Sequence, residues 1–174
     1  MHYTSLRKTN LIVFCILFIF SITPHHLFAQ SLDDKDAIRL LMTAKDFFKT
    51  IGKRDYAVIW DSITVKSRKQ IIKSIHKAQK KTGEISTIEE IKEDFNNCAI
   101  TCKAFWNAYF KAFDPNVALR QSRWEIGFIK KRKAEIWVTH RDSERPAKLK
   151  IVKEEGRWKV GLMESFWRYG TGKR

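Results

Sequence analysis

Ile38, Leu41, Ala44, Phe48 and Ile51 recur every three or four positions, and Leu40 and Phe47 widen the stripe. That spacing predicts an amphipathic helix. Ser31 with Asp34 three residues later marks its expected start, and Gly52 its expected end. Asp55 suits the N-cap of a second helix through Tyr56, Val58, Ile59 and Trp60. A third, basic segment runs from Lys66 to Lys81. Ser86-Thr87-Ile88-Glu89-Glu90 holds two overlapping capping boxes, Ser86 with Glu89 and Thr87 with Glu90. A long helix is expected from there to about Phe113. Asp114-Pro115 should stop it and cap a short new turn, since proline fits the first helical position.

From Arg123 the period falls to two. Trp124, Ile126 and Phe128 alternate with polar partners, as do Ala134, Ile136 and Val138, then Leu149 and Ile151, then Trp158, Val160 and Leu162. Turn material separates the runs at 130–133, 142–146 and 154–156. Glu154-Glu155-Gly156 is the strongest hairpin signal, a short loop with glycine where a left-handed residue is needed. Four strands joined by short turns make an antiparallel meander. Helices followed by strands predict an α+β domain with the helices on one sheet face.

The N-terminus carries a different pattern. Arg7 and Lys8 precede an apolar run from Leu11 to Ile22, followed by Pro24-His25-His26 and Leu27-Phe28-Ala29-Gln30. A short basic region, an apolar stretch of this length and a small residue at Ala29 read as a secretory signal peptide over residues 1–29. The alternative is an uncleaved anchor, but a span takes ~20 apolar residues and Pro24 interrupts this run early. Cys15 follows Phe14 inside the run, which argues against lipoprotein processing. Residues 30–174 are then expected to form one exported domain, periplasmic or secreted.

Charge narrows the partners. The chain holds 34 Lys and Arg against 19 Asp and Glu, a net charge of +15. The signal segment takes away only Arg7 and Lys8, so the domain stays strongly basic. Such a charge bears on association and solubility, not on fold. Outside the cytoplasm the anionic partners are lipid headgroups, surface polymers and acidic proteins. Nucleic acid is not expected: the chain is read as exported and has no Arg-Gly tract or ribonucleoprotein-type aromatic motif.

Residues 150–167, KIVKEEGRWKVGLMESFW, have a penultimate strand, an acidic-Gly turn and a last strand through Trp-Lys-Val-Gly-Leu. Residues 52–71, GKRDYAVIWDSITVKSRKQI, have a helix ending near glycine, Asp-Tyr, an aromatic on the next helix and a Ser/Lys-rich stretch. Together, and in this order, they resemble the nuclear transport factor 2-like superfamily, with small exported members of unknown role the nearest in kind. The resemblance spans nearly all of residues 30–174. It implies a cone: a curved four-stranded sheet wrapped around helices, with a pocket at the wide end. Some relatives are enzymes using a pocket acid or a His–Asp pair, and others only bind. No catalytic motif of the enzymatic members matches here position by position, so no catalytic residue is carried over.

Candidate pocket residues follow from parity. Trp158, Val160, Leu162, Glu164 and Phe166 would share one face of the last strand. Glu164 is the acid in that apolar row; buried, it could act as acid or base, and frayed it would meet water or a lysine. His140 shares a face with Ala134, Ile136 and Val138, at a strand end where solvation or a simple hydrogen bond would satisfy it. A His140–Glu164 pair is the sharpest enzymatic hypothesis. Tyr56, Trp60, Trp106 and Tyr109 could line an aromatic pocket or pack the core. No Gly-rich phosphate loop and no zinc-type His/Cys spacing is present, so neither a cofactor nor a metal is called for.

The basic segment carries Lys66, Arg68, Lys69, Lys73, Lys77, Lys80 and Lys81 without an acid between them, and Ile71, Ile72 and Ile75 form an apolar strip. It could lie on an anionic membrane or dock its strip on the domain with the lysines in water. A second basic cluster, Lys130 to Lys133, falls at a hairpin tip. Cys98 and Cys102 join Ile91, Phe95, Phe105 and Tyr109 on one stripe of the long helix. They are read as buried free thiols. A disulfide is the first alternative, ahead of redox or metal chemistry, and would need that helix to break near Ile100-Thr101, because positions four apart rise ~6 Å without facing each other.

Three functions compete. The expected one is a non-enzymatic exported domain that binds a small apolar ligand or a protein partner in or around the cone. The others are a cone-fold enzyme of isomerase, dehydratase or cyclase type on a small hydrophobic substrate, and a basic envelope-surface adaptor.

Overall fold

The computed structural model describes residues 25–84 and 86–166, with side chains from Asp34 onward. The chain divides into two units, Met1–Asp36 and Ala37–Arg174; the sheet and the core belong to the second. The expected signal peptide lies, up to residue 24, outside the described residues.

The first helix, α1 (His25–Lys53), begins ahead of Ser31 and runs through Gly52. Its buried stripe is Leu40, Ala44, Phe47, Phe48 and Ile51, while Ile38 is 57% exposed. The stripe is thus centred one residue away from the expected one. The left-handed residue that ends the helix is Arg54 (φ 57), not a glycine. Asp55 immediately caps α2 (Tyr56–Ser62) by accepting from Val58 N at 3.2 Å. The chain therefore has to reverse on the residue directly before that cap.

Thr64 caps α3 (Val65–Thr82), which closes on left-handed Gly83. Of the two capping boxes, Thr87–Glu90 forms, with Thr87 N donating to Glu90 Oε2 at 2.7 Å and Glu90 N to Thr87 Oγ1 at 3.1 Å. Hydrogen bonds from the Thr87 backbone N–H, and then from its side chain, hold the Glu90 carboxyl below its ordinary pKa. Asp114 caps α6 (Pro115–Arg120), with proline at the helix start.

The long helix expected from 88 to about 113 is two helices, α4 (Ile88–Asn97) and α5 (Ile100–Ala112). Cys98 between them is left-handed (φ 41) and is bonded to Cys102, with Cα atoms 5.0 Å apart. The free-thiol reading is therefore replaced by the disulfide, and the break falls at Cys98-Ala99 rather than at Ile100-Thr101. A straight helix would hold these Cα atoms ~6 Å apart with parallel Cβ directions. Asp94 supports the break. Its carboxylate accepts from Thr101 N at 3.0 Å and Cys102 N at 2.7 Å, capping α5 from the preceding helix.

Strands β1 (Ser122–Lys130), β2 (Lys133–His140), β3 (Ala147–Glu154) and β4 (Arg157–Val160) form one antiparallel sheet in sequence order. Glu155 (φ 50) and Gly156 (φ 78) are both left-handed, as a two-residue hairpin turn requires. A bulge at Gly127 changes the parity of β1: Ile126 pairs with Ile136, but Phe128 pairs with Glu135 and Ile129 with Ala134. Phe128 consequently leaves the core face on which simple alternation places it, and is 47% exposed. The Trp137 indole lies across Gly127, so close that an added Cβ would collide with its Nε1.

The fourth strand is shorter than expected. Gly161 N donates to Lys150 O at 2.8 Å, and then Leu162–Phe166 turns into a helix, α7. The Lys150 N–H is taken by Ser165 Oγ at 2.8 Å. The row from Trp158 to Phe166 therefore does not share one strand face, and Glu164 is carried by a helix.

Helices pack on one face of this open sheet. Phe48 of α1 meets Trp124 of β1 edge-on at 5.2 Å. Ile136, Leu149, Ile151 and Val160 are fully buried with Phe95 and Trp106 in the same core. Each such side chain contributes about 1.5–3 kcal/mol on burial. The free edge of β4 is covered by the chain entering α3, through an Ile63–Val160 bridge and Thr64 N donating to Val160 O at 3.0 Å.

Candidate functional site

The start of α3, α7 and the neighbouring ends of β2 and β3 enclose a groove of about 650 Å³. Its position follows from how α7 is held. Thr64 and Ser67 are fully buried at the N-terminus of α3. The Thr64 hydroxyl donates to Glu164 Oε1 at 2.8 Å and accepts from Ser67 N at 3.0 Å. Ser67 Oγ donates to Glu164 Oε2 and accepts from Met163 N at 3.0 Å. One carboxylate and two hydroxyls thus tie α7 to the first turn of α3.

Lys66, Lys133, Lys150, Glu135, Glu154 and Glu164 line the groove. The acids are already engaged. Glu164 holds the two hydroxyls. Glu154 accepts from Val65 N at 3.0 Å, capping α3 from the strand side. Glu135 accepts from Trp137 Nε1 at 2.7 Å and lies 3.5 Å from Lys148 Nζ. Among the described residues, no carboxylate lies within ion-pairing distance of Lys66, Lys133 or Lys150. Three ammonium groups from three elements are therefore uncommitted. Gln70, on the same wall, has a buried side-chain oxygen with no partner. A second recess of about 450 Å³ shares Lys66, Gln70 and Glu154 with the groove and adds Lys69 and Lys73.

The aromatic candidates do not meet in one pocket. Trp60 tilts on Phe95 at 4.6 Å, and Trp106 is fully buried between Phe105 and Phe110. Tyr56 stacks on Phe110 and donates its hydroxyl to Asn107 Oδ1 at 3.1 Å. Tyr109 lines an apolar cavity of about 190 Å³ with Phe105, Leu162, Phe166 and Met163, the last shared with the groove. Burial pushes its hydroxyl far above the ordinary phenol range.

His140 stands apart from Glu164. It ends β2, where its Nδ1 accepts from Asp142 N at 3.2 Å. That leaves Nε2 to donate to Gln121 Oε1 at 3.3 Å. Glu164 lies by the opposite end of β2, beside Lys133 and Glu135. The strand is eight residues long, so its ends lie about 23 Å apart. The His140–Glu164 pair is thus not formed.

Lys133, Lys150, Gln70, Glu135 and Glu154 are not among the pocket candidates that the sequence offers. Both basic clusters are visible in the sequence, but their approach depends on the β1–β2 hairpin folding towards α3. Among the described residues no group of three His, Cys, Asp or Glu side chains is placed to hold a metal ion. No described helix is long and apolar enough to cross a membrane. No family model, curated protein or solved structure matches the chain.

Proposed function

We propose that this chain is an exported, cone-like domain of the nuclear transport factor 2-like kind that binds an anionic ligand without transforming it. The observation that carries this reading is the asymmetry of the groove: its glutamates hold internal partners, and Lys66, Lys133 and Lys150 hold none. An anion entering there gains ammonium donors without breaking an existing ion pair. The ligand expected from the sequence is a small apolar molecule or a protein partner; the lysines of this recess, set beside Phe128, Ile151, Val152 and Met163, suit an acid with an apolar part instead. A binding role fits a site whose one carboxylate of interest, Glu164, is held on both oxygens by Thr64 and Ser67 and has no histidine beside it.

The test compares galacturonate with uncharged galactose by calorimetry, on the protein and on Lys133→Gln/Lys150→Gln. Near a protein surface each lysine–carboxylate contact contributes about 1 kcal/mol. Galacturonate should bind, galactose should not, and the double variant should weaken galacturonate about tenfold or more. Equal binding of both sugars, or an unaffected double variant, would contradict the reading. Steady turnover of a hydrophobic ketone or ester abolished by Glu164→Gln would establish the enzymatic alternative.

A further inference from the structure

We infer that the groove is the end of a longer track and that its ligand is a linear, hydroxyl-bearing polyanion, an acidic polysaccharide, lying along α3. This rests on the anion-binding reading of the groove and extends it in length and in chemistry.

The length comes from α3. The groove and the second recess share Lys66, Gln70 and Glu154, so their walls are continuous, and Lys69 and Lys73 carry the cationic surface onward. All three lysines are exposed, and Lys77 follows four residues later, also exposed. Cations three and four residues apart on a helix rise ~4.5–6 Å from one to the next. A chain with one anion per repeat of that size meets them in succession. No Asp or Glu occurs between residues 62 and 83, and the acid on the shared wall, Glu154, is held by Val65 N and pairs with none of these lysines.

The chemistry comes from two further observations. Gln70, half-buried, lines the wall common to both recesses. Its side-chain amide can both donate to and accept from a sugar hydroxyl, whereas a fully ionised phosphate chain can only accept. The cations are lysines, point charges that follow a flexible chain of carboxylates without demanding the paired geometry of a guanidinium. A bilayer is a poorer fit. Of the apolar strip that could have entered a membrane, Ile71 and Ile72 are 0% and 7% exposed and belong to the core, and Ile75 is partly buried against it. Beyond Val65, 42% exposed at its start, α3 shows charge outward rather than a continuous apolar face.

The experiment titrates the whole protein with galacturonate, with oligogalacturonates of increasing length, with polyphosphate, and with vesicles of phosphatidylglycerol and phosphatidylcholine. Affinity should rise with oligogalacturonate length and fall on the order of a hundredfold between about 50 and 200 mM salt, as expected when some five lysines displace counterions. Lys69→Gln/Lys73→Gln should weaken the long oligomer about tenfold and leave galacturonate itself unchanged. The triple variant Lys45→Gln/Lys92→Gln/Lys111→Gln, which removes more charge elsewhere on the surface, should leave both unchanged.

If galacturonate binds but longer oligomers bind no tighter, or the Lys69/Lys73 variant has no effect on them, the track is refuted and the groove reading stands. If galacturonate fails to bind, both fall. Polyphosphate binding as tight as the oligomer's refutes the saccharide assignment. Vesicle binding tighter than the oligomer's, or an equal loss in the triple variant, also overturns the inference.

Discussion

Ser67→Ala removes one hydroxyl and should loosen the join between α3 and α7 on which the groove wall depends. Ser67 is fully buried, and its Oγ accepts from Met163 N at 3.0 Å while donating to Glu164. The alanine leaves the Met163 N–H, in a residue only 5% exposed, without a partner; such a group costs about 1–3 kcal/mol. The carboxylate loses one of two donors, and a hydrogen bond to a charged group contributes about 1.5–3 kcal/mol. Glu164 is half-buried and keeps Thr64, so water replaces part of that second loss. The expected destabilisation is about 3 kcal/mol, or about 6–12 °C in melting temperature for a chain of this size. Urea denaturation should show an earlier midpoint at an unchanged slope. Amide exchange at Met163–Ser165 should quicken more than at Ile136 in the sheet. Ser62→Ala is the control, since Ser62 Oγ bonds only the exposed turn of its own helix. A Ser67→Ala variant within about 0.5 kcal/mol of the parent, or with unaltered exchange in α7, would refute the reasoning.

The disulfide closes a short loop, and by the chain-entropy relation Cys98→Ser/Cys102→Ser should cost about 2 kcal/mol, read as an earlier urea midpoint; an unchanged midpoint would show that Asp94 alone holds the break. Gly127→Ala should cost about 1–3 kcal/mol, because Trp137 must move off the strand; tryptophan emission should shift with it, and a silent substitution would contradict the close packing seen there. Asp61 is held below its ordinary pKa by its hydrogen bond from Lys159 Nζ at 3.1 Å, against some desolvation, with Lys159 and Arg157 adding charge attraction. A depressed carboxyl stabilises above its unfolded pKa and loses that contribution as pH falls through the folded one. The stability gap between the protein and Lys159→Met should therefore be constant above about pH 5 and narrow below about pH 4; a gap independent of pH would remove Asp61 from the account.

Local signals are legible wherever a short stretch decides its own conformation. The Asp55, Thr87 and Asp114 caps and the Glu155-Gly156 turn depend on neighbours within a few residues, and all form as expected. So does the order of helices and then an antiparallel meander. The departures share a cause: the periodicity continues through a point where a distant contact interrupts the element. Cys98 breaks a helix whose stripe continues across it, because the thiol bonds Cys102 and Asp94 caps the next turn. Gly127 shifts the parity of β1 to accommodate Trp137 from the neighbouring strand. The last strand ends at Val160 because Ser165 takes the Lys150 N–H. The candidate site is the least legible part, for the same reason. Glu164 stands out as an acid in an apolar row, yet its partners Thr64 and Ser67 lie about a hundred residues earlier. The lysines that surround it come from α3, β2 and β3.

The central claim is that Lys66, Lys133 and Lys150 are uncommitted cations facing one shared space. Lysine side-chain resonances, followed by carbon-13 NMR during titration with a galacturonate oligomer, test it most directly. Lys66, Lys133 and Lys150 should shift together along one binding curve, while Lys45, Lys92 and Lys111 stay in place. Uniform small shifts across all lysines, or a response confined to residues around Tyr109 and Phe166, would contradict it.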